Sequence, residues 1–149
     1  MTQATKFRDR SHARVYSHWR ALPAWRTLSL AARCILIEIL MENRAGLNGR
    51  LAWSCRKAAR AVGVSKDRAA RALIHLEDRG WLKCERVANF GRRNAPAEYA
   101  LTMFPNDATG GLPSFAFEVW NPDGPAFQSL PVSHLEDTTV APRGHGRRT

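Results

Sequence analysis

The chain has 149 residues, with 23 basic against 13 acidic side chains and a net charge of +10, which fits one domain plus a tail. A surplus of that size favours a polyanionic partner, nucleic acid first and an anionic membrane surface second. Hydrophobic residues at 44% and charged residues at 24% exclude wholesale disorder, and no apolar run approaches the roughly 20 residues of a membrane span.

Residues 1–28 read as a lead-in. No apolar segment follows the charged start, Met1 to Arg10, so no secretory signal is expected and the cytoplasm is the expected location. Val15, Tyr16, Trp19, Leu22, Trp25 and Leu28 predict a short helical turn, interrupted by Pro23, whose tryptophans cap the core. Ser29 then caps a helix to about Asn43. Leu30, Cys34, Ile37 and Met41 recur at helical spacing as its apolar stripe, widened by Leu36 and Leu40. Gly46, Asn48 and Gly49 force a turn, and Leu51 to Trp53 make a short extended piece.

Next come two helices joined very tightly. Ser54 caps the first, Cys55 to Val62; Gly63 supplies a left-handed end; Ser65 caps the second, Lys66 to about Arg79. Ala58, Ala59 and Val62 give the first a thin apolar face. In the second, Ala69, Ala72, Leu73 and Leu76 form one stripe, leaving Lys66, Asp67, Arg68, Arg71 and His75 outward. Gly80 ends that helix. Extended segments from Trp81 to Val87 and from Tyr99 to Thr102 flank a polar loop, Ala88 to Pro96, holding Gly91, Arg92 and Arg93.

Beyond residue 102 the composition changes. Residues 1–102 hold 20 basic and 8 acidic side chains, residues 103–149 only 3 and 5, and six of the eight prolines fall in the latter segment. Residues 103–149 are therefore expected to form an extended or disordered tail, with Phe115, Phe117, Val119 and Trp120 as an apolar island that docks on the domain.

The run Lys57-Ala-Ala-Arg-Ala-Val-Gly-Val-Ser-Lys66, followed by Arg71-Ala-Leu-Ile-His-Leu-Glu-Asp-Arg-Gly-Trp-Leu82, resembles the helix-turn-helix of winged helix DNA-binding proteins. It is similar to gluconate-repressor-type regulators, and the longer arrangement resembles the winged helix domains of phage and plasmid replication proteins. The resemblance implies a mainly α fold with a small β-hairpin, the winged helix-turn-helix domain occupying 29–102. Lys66, Asp67, Arg68 and Arg71 would then face the major groove, and Arg56, Lys57 and Arg60 would grip backbone phosphate. Ser54 and Ser65, at helix N-termini, would present backbone N–H groups to phosphates. Arg92 and Arg93, at the wing tip, would enter or flank the minor groove.

Independently of the resemblance, Arg50 to Arg71 holds seven cations against the single Asp67, a run suited to displacing counterions from DNA. The expected function is a sequence-specific double-stranded DNA-binding protein, a transcriptional regulator of a bacterial, phage or mobile-element system. The alternatives are a replication initiator or replisome organiser of the same fold, and a winged helix that binds protein. No enzyme is expected, since there is no GxxxxGK[ST] loop, HExxH or CxxC. Cys34, Cys55 and Cys84 read as reduced thiols, and neither a cofactor nor a metal is implied. A homodimer, if formed, would use the lead-in, the first long helix or the tail.

Overall fold

The structure, a computed structural model, describes residues 11–91 and 94–124. A 3-10 turn over Ser17–Ala21 leads into α1 (Pro23–Arg26), where proline stands in the first turn and its missing N–H costs nothing. The next elements are α2 (Leu30–Glu42), β1 (Leu51–Trp53), α3 (Cys55–Val62) and α4 (Lys66–Asp78). They are followed by β2 (Leu82–Arg86), β3 (Ala97–Leu101) and a final turn, α5 (Ala116–Val119).

The architecture is mixed α/β. β1 and β2 both pair antiparallel with β3, giving a three-stranded sheet in the order β1-β3-β2, where the sequence led us to expect a two-stranded hairpin. Leu51 faces Tyr99, and Leu82 faces Leu101 across the opposite edge. β1 has three residues, too few for alternation to show in the sequence. Its strand character comes from pairing with β3.

In α2 the buried stripe keeps only Leu36 and Leu40 of the expected set, and Leu30, Cys34, Ile37 and Met41 lie on the other side. Ala32, Ile35, Leu36, Ile39 and Leu40 are buried, while Leu30 is 77% and Met41 48% exposed and Cys34 is exposed as well. The helix is apolar nearly all round, so two stripes satisfy the same period. The buried one is decided by contact with α3 and α4, against which Ala32 allows close approach. Ser29 caps it as expected, its Oγ accepting the Ala32 N–H at 3.2 Å.

Asn48 is more than a turn residue. It is buried; its Nδ2 donates to the carbonyls of Leu101 and Pro105 at 3.0 and 2.9 Å, and its Oδ1 accepts the Leu101 N–H at 2.7 Å. These bonds tie the turn before β1 to the chain leaving β3, and they answer the backbone groups that burial would otherwise orphan.

The expected tail does not begin at residue 103. Met103, Asn106, Ala116 and Phe117 are buried, and Phe117 stacks on Trp81 with ring centroids 4.1 Å apart. Trp19 meets Trp81 edge-on at 4.9 Å, and the Trp81 indole donates to the Ala24 carbonyl at 3.2 Å. Proline in this stretch therefore shapes turns around an aromatic cluster and does not keep the chain extended. Gly80 makes the docking possible: with φ at +77° it ends α4, and a Cβ there would lie 2.7 Å from the Ala116 backbone. Phe115 and Val119, in contrast, stay exposed. The part of the expected tail from residue 125 onward lies outside the described residues.

Candidate nucleic-acid interface

α3 and α4 are placed by their caps. Ser54 Oγ accepts the Lys57 N–H at 3.0 Å, and Ser65 Oγ accepts the Arg68 N–H at 3.3 Å. Between them Gly63 has φ +70° and ψ +39°, and the N–H groups of Gly63 and Val64 both fold back on the Ala59 carbonyl. A side chain at that backbone conformation would cost about 1–2 kcal/mol. The close turn lets α3 and α4 pack through small residues, with Ala58, Ala69 and Ala72 all buried. Leu73 and Leu76 complete the buried stripe of α4 that the sequence predicted.

The opposite side of α4 is polar and open. Lys66, Asp67, Arg68 and Arg71 are exposed, as are Arg56 and Arg60 on α3. Among the described residues, none of these cations has a carboxylate partner; Arg71 makes only an exposed 3.4 Å contact from Nε to the Asp67 carbonyl. Elsewhere Arg14, Arg20, Arg26, Arg44 and Arg50 are likewise exposed with no carboxylate partner among the described residues, whereas the cations of the hairpin and of the end of α4 are engaged. Arg86 pairs with Glu98 at 2.7 Å, Lys83 with Glu85 at 3.0 Å, and Arg79 bonds Thr27 Oγ1 at 2.7 Å while lying over the Trp120 ring.

Lys57 belongs with the paired group. Its ammonium donates to both Glu42 oxygens, at 2.7 and 2.9 Å, and to the Ala52 carbonyl at 3.0 Å, with the Trp53 ring 4.3 Å away. An ammonium has three donors, and here all three are engaged. Lys57 fastens α3 to α2 and β1, which its place in a basic run gave no hint of.

Ile74 is the residue the sequence reading missed. It is 59% exposed, and it follows Asp67 and Arg71 at helical spacing on the outer side of α4. An exposed apolar side chain in a polar row was detectable from its absence in the buried stripe. His75, expected outward, is half-buried.

The β2–β3 hairpin carries a register shift between Cys84 and Arg86 and a further bridge, Asn89 to Ala95, that closes its loop. Asn89 Oδ1 accepts the Gly91 N–H at 2.8 Å, and Asn94 takes a left-handed φ of +40°. Phe90 is 85% exposed. Arg92 and Arg93 lie outside the described residues.

Behind this surface Glu77, Tyr99 and Cys84 form a partly buried titratable group. Burial raises the Glu77 carboxyl above its ordinary value, opposed by a hydrogen bond from Tyr99. Burial, and then the nearby Glu77 and Glu85 charges, push the Cys84 thiol up to about 11. Tyr99 moves in the same direction, first through burial and then through Glu77. A thiol so raised is a poor nucleophile at neutral pH. Among the described residues no His, Cys, Asp and Glu side chains cluster in a way that could hold a metal, and no helix is long and apolar enough to cross a membrane.

No known family, curated protein or solved structure matches the chain.

Proposed function

We propose that the chain is a sequence-specific double-stranded DNA-binding protein, a winged helix-turn-helix in which α4 reads the major groove. The observation that carries this reading is the exposed set Lys66, Arg68 and Arg71 on the first turns of α4, beside Arg56 and Arg60 of α3, with no carboxylate partner among the described residues. Holding like charges together without counter-ions favours a ligand that brings negative charge, and a helix entering the groove by its N-terminal end places such residues at base edges.

Arg68 and Arg71 are assigned to base contact, since a guanidinium can bind guanine O6 and N7 with two hydrogen bonds. Asp67 accepts from cytosine N4 or orients an arginine, and Ile74 offers its methyl groups to thymine. Arg56 and Arg60 hold phosphate, and the capped N-termini at Ser54 and Ser65 add backbone N–H groups. Lys57 is left out of the contact set because Glu42 engages it. The β2–β3 hairpin serves as the wing, with Arg92 and Arg93 directed to the minor groove on the reading of the sequence alone. The regulatory role is transcriptional; a replication initiator would use the same face and would be told apart by repeated binding sites at an origin.

The test is a salt titration of binding to random-sequence duplex. Each phosphate contact adds about 0.9 to the log-log slope, so a steep slope is expected. A slope near zero overturns the proposal.

A further inference from the structure

α2 carries a second apolar row that the fold does not use. Leu30, Cys34, Ile37 and Met41 advance by four, three and four residues, which keeps them on one line along the helix, on the side opposite Ala32, Ile35 and Ile39. Leu30 is 77% and Met41 48% exposed, Cys34 is exposed and Ile37 is half-buried. No charged residue stands in the row. Three of its four side chains are thus open to solvent.

We propose that this row is a dimer seam, and that its occupant is the same row of a second copy of this chain, the two α2 helices running parallel. The inference is independent of the DNA reading. The four-three-four advance is the one by which a helix interlocks with an identical neighbour, knobs into holes. Charge at the edges selects the direction. Arg33 stands along one edge of the row, its guanidinium 5.2 Å from the Trp25 ring and donating to the Trp25 and Arg26 carbonyls, and Glu38 stands along the other; neither has an ion-pair partner among the described residues.

In a parallel pair, Arg33 of each copy lies beside Glu38 of the other. An antiparallel pair would set Arg33 against Arg33 and Glu38 against Glu38. Charge also selects the place: α3 and the first turns of α4 are cationic and repel a second copy, whereas α2 sets only Arg33 against Glu38 and Glu42. Parallel pairing brings Cys34 opposite Cys34 on the two-fold axis.

Sedimentation of the reduced full chain over a range of concentrations tests the seam. A reversible monomer–dimer equilibrium is expected, weakened about tenfold or more by Leu30→Glu and by Met41→Glu, with an unchanged circular dichroism spectrum since both side chains are exposed. Copper-catalysed oxidation of the wild-type chain should then link the dimer through Cys34, and Cys34→Ser should abolish the link. A chain that stays monomeric up to its solubility limit overturns the proposal, as does a dimer indifferent to both glutamates. A dimer that both glutamates weaken but that forms no Cys34 disulfide overturns the parallel pairing.

Discussion

Helices α2 and α4 each have 13 residues and a serine cap, yet they meet solvent in opposite ways. α4 divides cleanly, with Ala69, Ala72, Leu73 and Leu76 inside and Lys66, Asp67, Arg68 and Arg71 outside. α2 is apolar on both sides, so its inner face had to be selected by the neighbours it packs against. Helical period thus gives the orientation of an amphipathic helix and says little about one with apolar residues on both sides. The contrast also separates two kinds of surface, a charged face suited to a polyanion and a neutral row suited to a second protein chain.

Substitutions on the two sides of α2 should have unequal effects. Ile35→Ala, on the inner face, is expected to cost roughly 2–5 kcal/mol in denaturant unfolding, while Leu30→Ala on the outer face stays within about 0.5 kcal/mol when the monomer is measured. Equal losses would mean that the inner and outer faces are wrongly assigned. On α4 and its neighbour the expected effects are smaller and fall on binding. Arg71→Ala should lose about 1–3 kcal/mol on a selected duplex and relax preference at one base pair, whereas Arg60→Ala should weaken selected and scrambled duplexes alike. Lys57→Ala should leave the salt slope unchanged and lower the melting temperature, because its ammonium ties Glu42 to Ala52 within the fold.

The smallest expected effect concerns Glu77 at the inner edge of α4. Its carboxyl titrates above the unfolded value, so the folded state binds the proton more tightly and stability falls as pH rises from the ordinary carboxylate range through the raised value. Glu77→Gln should therefore gain melting temperature relative to wild type at neutral pH, and the gap should narrow as pH falls towards that ordinary range. A gap that does not change with pH would show that the folded chain leaves Glu77 unperturbed.

Much of the helix pair was legible in the sequence because its signals are local. Ser54, Gly63 and Ser65 act on the backbone within a few residues of themselves, and Ala69, Ala72, Leu73 and Leu76 contrast with polar neighbours at every turn. The same held for Gly80 as a helix end. The docking of Phe117 on Trp81 was half legible: the apolar island was visible, but prolines on either side masked how much of the surrounding chain is packed. Asn48 and Lys57 were not legible, since an asparagine in a turn and a lysine in a basic run look alike whether or not distant groups engage them. Their partners, Leu101 and Pro105 for one and Glu42 for the other, are joined to them only by the fold.

Local signals in the sequence were enough to place the ends of α2, α3 and α4, the polar side of α4 and the gathering of cations around the turn at Gly63, though not α1 or α5. Tertiary structure alone decided the phase of α2, the recruitment of β1 as a third strand, and which cations are neutralised by neighbours. The physical reason is range. Caps, turns and amphipathic contrast operate over a single helical turn, whereas a strand of three residues, a helix with apolar residues on both sides or a lysine within a basic run acquires its role from groups that chain folding brings to it.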